Sequence, residues 1–245
     1  MSNAEKTLVT VATYNEMENL PALVEEIFRV AGEVDLLVID DNSPDGTGQW
    51  CDRKGAEDAR LSCLHREGKL GLGTATIAGM RYGIRQGYRY VLNMDADFSH
   101  QPRYLPDLIA SMDPRQGPPV GVAIGSRYTR GGGTQGWPLR RRLMSRGVNF
   151  YARWMLGLKP KDCSGAFRCY RTELLAKLDF DAIRSRGYSF QEEILWHLKR
   201  LDARFAETPI IFIDRQHGTS KINSKEALAA LRIIFGLGLR NVLGR

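Results

Sequence analysis

Cysteine is scarce: Cys51, Cys63, Cys163 and Cys169 are the only four, with neither C-x-x-C spacing nor zinc-finger pairing to histidine. This excludes a disulfide or zinc-finger scaffold and favours structural thiols in a reducing compartment. Internal repeats and low-complexity tracts are absent. No signal peptide is visible, and residues 1–4 resemble an expression scar that lies outside fold reasoning. The apolar stretch at residues 226–245 is interrupted by Arg232 and falls short of the roughly 20 apolar residues that span a bilayer. Its stripe of Leu228, Leu231, Phe235, Leu239 and Val242 suits an amphipathic interfacial or partner helix. The glycines at 68, 71 and 73 fit neither G-x-G-x-x-G nor a P-loop, so close backbone approach and ligand cradling stay equally open.

The largest absence concerns charge of one sign. Between Asp113 and Asp162 there is no acidic residue, yet the stretch carries Arg115, Arg127, Arg130, Arg140, Arg141, Arg142, Arg146, Arg153, Lys159 and Lys161. That local excess exceeds the +7 of the whole chain. Such concentration implies an anionic partner: a phosphorylated ligand, an anionic membrane or nucleic acid. No nucleic-acid reader motif accompanies it.

What is present is an ordinary globular composition, 245 residues with 43% hydrophobic and 26% charged, enough for one α/β domain. Strand patterns at 7–12, 35–41, 60–66, a run ending at Asp95, and 121–128 alternate with helical patterns. Asn15 or Asn19 is placed to cap the first helix. Alternation of this kind specifies a mostly parallel sheet flanked by helices, with ligands outside the carboxyl ends of its strands. Tyr14, Asp41, Asp95, Asp97 and Arg127 fall at those ends. Asp95 and Asp97, separated by Ala96, would share one face of an extended strand and offer hard oxygens to Mg²⁺ or Mn²⁺. Asp45 reads as a turn residue, whereas Asp40 or Asp41 could accept from a base or ribose.

Residues 139–158 form a basic helix with Leu143, Gly147, Phe150, Tyr151, Trp154 and Leu158 on one face, suited to a bilayer interface. Gln191, Glu192 and Glu193 open another helix, where one glutamate serves the dipole and another is available for function. Arg215, His217, Ser220 and Lys221 could clamp a diphosphate.

Nine segments in order carry a family resemblance: ATYNEMENL (12–20), DDNSPDGT (40–47), LGLGTA (70–75), DADFSHQP (95–102), GSRYTRGGG (125–133), Trp137 before RRRLMSRGVN, DCSGAFRCYR (162–171), GYSFQEE (187–193) and DRQHGTSK (214–221). The set resembles family 2 glycosyltransferases of the dolichol-phosphate (polyprenol-phosphate) mannosyltransferase group. The resemblance implies a GT-A fold over residues 5–222, followed by an interfacial helix at 223–245. It implies inverting transfer of mannose from GDP-mannose to a polyprenyl or dolichyl phosphate, with a UDP-hexose as the alternative donor. By position, Ala12, Tyr14, Glu16, Ile39, Asp41, Asp95, Ala96, Asp97, Arg215 and Lys221 would hold the sugar nucleotide. Asp97 and Arg215 would carry the chemistry. Arg127, Arg141 and Ser145 would hold the lipid phosphate. Asp95 and Asp97 would bind the metal, with Ser99 a candidate third ligand where some relatives have glutamine. Ala12 stands where the motif commonly has proline. The transmembrane helices that follow the catalytic domain in some members are missing, which fits a soluble form or a truncated chain. The implied location is peripheral, on the cytoplasmic face of a membrane, with room for an anchoring partner subunit.

Overall fold

A computed structural model describes residues 3–113, 117–187, 189–214 and 224–242. Its strands are β1 (Thr7–Thr13), β2 (Asp35–Asp40), β3 (Leu61–His65), β4 (Tyr90–Asp95), β5 (Val122–Ser126), β6 (Gly133–Gln135), β7 (Arg168–Arg171), β8 (Phe205–Pro209) and β9 (Ile211–Ile213). The helices are α1 (Leu20–Val30), α2 (Thr47–Glu57), α3 (Leu72–Arg85), α4 (Leu105–Ala110), α5 (Leu139–Leu156), α6 (Thr172–Leu175), α7 (Phe190–Lys199) and α8 (Ser224–Val242). β2 is buried along its whole length, because helices cover both faces of the sheet and leave no polar side for alternation to mark.

The seven-stranded sheet runs β3-β2-β1-β4-β7-β5-β8, and β6 pairs with β9 as a separate parallel ribbon. β1 is parallel to both β2 and β4, with Ala12 in register with Ile39 on one side and Asp95 on the other. The strand order therefore reverses between β1 and β4. A crevice opens at such a reversal outside the carboxyl ends. The acidic end of β4 lies at that point.

The sheet is mostly parallel, as expected, but β7 runs antiparallel between β4 and β5. Periodicity gave no sign of it, since Arg168 interrupts its apolar run. That arginine is fully buried and donates to the carbonyls of Gln191 (2.7 Å) and Cys163 (2.6 Å). The expected helix caps also differ. Asn19 occupies the cap of α1 without a capping hydrogen bond and donates instead to Glu16, while Asn15 adopts a left-handed φ of 60°. α5 ends at Leu156, two residues early, because Gly157 turns left-handed at φ 61°.

The apolar stripe expected along α5 divides in three dimensions. Leu143, Phe150 and Trp154 are exposed, whereas Asn149, Ala152 and Leu156 face the interior and Leu158 is buried beyond the helix end. α8 packs beside α5 and leaves Leu231, Phe235 and Leu239 exposed. Among the described residues no helix is long and apolar enough to cross a membrane.

α3 approaches the sheet closely through Gly83, where an added Cβ would lie 2.2 Å from Cγ2 of Val91. Alanine there gains about 1 kcal/mol of helix propensity. Overpacking against a stiff β-branched neighbour costs about 1–3 kcal/mol and outweighs it. Gly83→Ala is expected to lower the urea midpoint; an unchanged or raised midpoint contradicts this packing.

Candidate active site

The carboxylate turn begins where β4 stops. Because the strand ends at Asp95, strand alternation does not place Asp97; a tight turn does. Phe98 takes a left-handed φ of 57°, the Ser99 amide donates to Asp97 Oδ1 (3.1 Å), and the Ile213 amide donates to the Ser99 carbonyl (3.2 Å). Ala96 is buried behind the two acids, both of which keep partly accessible side chains. Ser99 Oγ is buried and has no hydrogen-bond partner among the described residues.

His100, which sequence reading passed over, organises this turn. Its Nδ1 accepts from the Asp95 amide at 3.1 Å and lies 3.5 Å from Asp95 Oδ2. Burial holds the imidazole below the usual histidine range, against the pull of Asp95 and Asp97. An accepting Nδ1 leaves the proton of the neutral ring on Nε2. The ring stacks on Phe167 and meets Phe212 edge-on at 5.3 Å. Phe212 also meets Trp137 at 5.3 Å, and the Arg127 guanidinium lies 5.6 Å from the Phe212 ring. An aromatic wall thus joins the carboxylate turn to the arginines.

On the β2 side, the two adjacent acids separate in role. Asp40 is buried and accepts from Thr13 Oγ1 (3.0 Å), the Ser43 amide (3.0 Å) and the Ser43 hydroxyl (2.5 Å), so it shapes the loop. Asp41 faces Arg66 at 2.7 Å, and Arg66 also donates to Thr74 of α3 (2.6 Å). Burial pushes the Asp41 carboxyl above its ordinary range, against Arg66 and Lys69. Lys69 stands 4.5 Å over the Tyr14 ring. Glu16 accepts from Asn19 at 3.0 Å, and Asp45 has the turn role its sequence suggested, accepting from Met17 and Thr47. Ala12, next to last in β1, lies between Ile39 of β2 and Asp95 of β4. The Ile39 side chain points into the sheet core beside Gly79. Of the two glycine-loop alternatives, the structure shows close backbone approach: the Gly73 amide donates to the Arg186 carbonyl at 3.0 Å, and a Cβ on Gly71 would lie 2.6 Å from the same oxygen.

The cationic side is built on one buried ion pair. Arg127 Nε and Nη2 each donate to Asp162 at 2.7 Å, its amide donates to the same carboxylate at 3.0 Å, and Nη2 also reaches Ser164. Burial opposes ionisation of Asp162, but Arg127 holds its carboxyl below the ordinary range. Asn149 of α5 accepts from the Cys163 amide (2.6 Å) and donates to Ser164, tying the helix to the same loop. Beside this pair opens a cavity of about 330 Å³ lined by Arg127, Arg146, Arg153, Lys161, Thr129, Asn149 and Phe150, among others, with no acidic residue in its wall. Arg141 bonds Asp214 at 2.7 Å and stacks over Trp137 at 4.1 Å; Ser145 accepts from the Tyr128 hydroxyl at 2.6 Å. Arg215, His217, Ser220 and Lys221 lie outside the described residues.

At the start of α7 the two glutamates differ. Glu193 accepts from the amides of Arg184 (3.0 Å) and Ser185 (2.7 Å), a structural use. Glu192 is buried, its Oε2 makes no hydrogen bond among the described residues, and burial pushes its carboxyl up to about 7.

Comparison with known proteins places this arrangement in a family. The model for glycosyl transferase family 2 matches residues 8–179. The chain is 39% identical over 242 residues to a polyprenol monophosphomannose synthase of Mycolicibacterium smegmatis, covering 98% of this chain and 90% of that one. It is 42% identical over 218 residues to an undecaprenyl-phosphate mannosyltransferase of Micrococcus luteus, covering 89% and 88%. A glucosyl-3-phosphoglycerate synthase from Mycobacterium tuberculosis, solved with Mn²⁺ and UDP, superposes with a TM-score of 0.65 at 19% identity, covering 97% of this chain and 79% of the other. The fold is thus the GT-A glycosyltransferase fold.

The buried carboxyl of Glu192 has a measurable consequence. An unfolded glutamate titrates near about 4.3, the folded one near about 7. Between those values the folded chain keeps a proton that the unfolded chain releases, so stability falls as pH rises through the window. Glu192→Gln lacks this penalty and should gain on the wild type by on the order of 2 kcal/mol between about pH 5 and about pH 8. Thermal unfolding at both pH values checks it; an equal difference at the two would refute it.

Proposed function

The chain belongs to glycosyl transferase family 2, and from there we propose that it transfers mannose from GDP-mannose to a polyprenyl phosphate, releasing GDP with inversion at the anomeric carbon. The observation that carries the reading is the carboxylate turn of Asp95 and Asp97 joined by the His100–Phe212–Trp137 wall to an acid-free cationic cavity. The names of the two bacterial relatives support mannose and a polyprenyl phosphate as the transferred group and acceptor.

The reaction brings two anions together. A phosphate monoester is already ionised near neutral pH, so its oxygen needs no strong base to attack the anomeric carbon. It needs positioning against repulsion, with stabilisation of the departing diphosphate. Asp95 and Asp97 offer the hard oxygens that Mg²⁺ or Mn²⁺ prefers, and the unpartnered Ser99 hydroxyl fits a third ligand. A cation there supplies Lewis-acid neutralisation of the leaving diphosphate. Tyr14, Glu16 and the Asp41–Arg66 clasp would line the nucleotide side, with Ala12 and Ala96 as its floor and backbone contact near Ile39. Arg215 and Lys221 would add charge to the diphosphate.

Arg127, held rigid by Asp162, and Arg141, stacked on Trp137, would receive the lipid phosphate together with Ser145. The exposed Leu143, Phe150 and Trp154 of α5 and Leu231, Phe235 and Leu239 of α8 offer apolar contact beside many arginines, as an interfacial surface requires. We place the enzyme peripherally on the cytoplasmic face of a membrane, with or without an anchoring subunit.

Radiolabelled transfer from GDP-mannose to short polyprenyl phosphates tests the function directly; labelling from UDP-glucose in its place would assign the donor to the rival reading. Asp97→Ala should lower kcat by about a thousandfold or more with metal in excess. Retained turnover there would remove Asp97 from the chemistry. Arg141→Ala should raise KM for polyprenyl phosphate by about tenfold or more, the worth of a charge-assisted hydrogen bond. An effect confined to KM for the sugar nucleotide would contradict its assignment to the acceptor.

A further inference from the structure

Away from the catalytic crevice, the outermost strand of the sheet carries a group of donors that the transfer reaction does not use. Cys63 and His65 sit two apart on β3 and so share a face. Asp52 of α2 reaches the same place. One potential ligand atom from each of the three lies within 4.8 Å of the others. His65 Nε2 is 2.9 Å from Asp52 Oδ1, and its Nδ1 is 4.0 Å from Cys63 Sγ. The histidine is thus flanked by a carboxylate on one nitrogen and a thiol on the other.

We propose that Cys63, His65 and Asp52 form a second metal site, selective for thiophilic divalent ions of the Zn²⁺ type. Thiol sulfur and imidazole nitrogen are borderline-to-soft donors that favour Zn²⁺ over Mg²⁺ or Ca²⁺, whereas the Asp95–Asp97 turn presents oxygens alone. Three protein ligands with water in the fourth position complete a tetrahedral shell. Closing the shell asks for movement of about 1 Å at the widest separation and for the imidazole to turn one nitrogen toward the ion; Asp52 and His65 are each about half exposed, which leaves room for both (side-chain exposures 56% and 52%). Cys51 stands behind the site. It is buried, donates weakly to the Ser62 carbonyl at 3.8 Å, and anchors α2 on β3 so that Asp52 meets the strand at the right height.

The place of the site gives it a structural consequence. His65 is in register with Asp40, and the next residue, Arg66, grips Asp41 at the nucleotide side. A bound ion would fasten the end of β3 to α2 directly behind that grip, and it would stabilise the folded chain by mass action.

Titration of the full chain with Co²⁺, in a phosphine reductant and a non-chelating buffer, tests the proposal. The expected result is a near-ultraviolet thiolate-to-cobalt charge-transfer band saturating at one equivalent, removed by Zn²⁺ and untouched by excess Mg²⁺. Cys63→Ser should abolish the band, His65→Ala should weaken binding by about tenfold or more, and Cys51→Ser and Asp97→Ala should both retain it. Zn²⁺ should raise the Tm of the wild type and leave that of Cys63→Ser unchanged. Absence of the band in the wild type, its survival in Cys63→Ser, or its dependence on Cys51 in place of Cys63 would overturn the site.

Discussion

The Arg127–Asp162 pair is the contact on which the cationic half of the site rests. Asp162 is fully buried and takes three hydrogen bonds from Arg127, two from the guanidinium and one from the amide. Removing one partner of such a pair leaves an uncompensated buried charge and typically costs about 3–5 kcal/mol. The pair joins the end of β5 to the 162–165 loop, and Asn149 joins that loop to α5. The basic helix and its cavity are thus tied to the sheet through this ion pair, while Arg141 is held by Asp214 and Trp137. An arginine already neutralised in this way keeps its planar group fixed while its remaining surface faces the cavity wall.

The acidic half is positioned differently, by backbone topology. β1 lies between β2 and β4, so the reversal of strand order opens a crevice just where Asp95 ends its strand. The turn after Asp95 is then held by its own hydrogen bonds and by His100 beneath it. The ring contacts of His100, Phe212 and Trp137 link the two halves: His100 accepts from the Asp95 amide, and the Arg127 guanidinium lies 5.4 Å from the Trp137 ring and 5.6 Å from that of Phe212.

Particular elements show how far the sequence could be read. β4 and its terminal acids were legible because a buried apolar run ending in D-x-D is a local pattern. The basic helix was legible because the absence of acids from 114 to 161 is a property of composition. β7 was not, since a fully buried arginine breaks the apolar run by which a strand is recognised. His100 was missed because a lone histidine after an acidic motif carries no periodicity; its role exists only once the chain folds back to the Asp95 amide. Arg127 was found as a cation at a strand end, but its partner lies 35 residues away and no spacing rule connects them.

The sequence by itself determined the alternating strands and helices, the edge of the sheet at which the candidate site residues gather, the excess of positive charge, and through its ordered motifs the family. These are encoded in residues near one another along the chain, where period and turn chemistry act directly. Tertiary structure alone decided which acids are structural and which stay at the surface. Burial and hydrogen bonding took Asp40 and Glu193 into the scaffold and Asp41 into a buried pair with Arg66, and left Asp95 and Asp97 partly accessible at the crevice. It also brought Asp52 across to Cys63 and His65, because a helix packed on an edge strand joins donors that the sequence keeps apart.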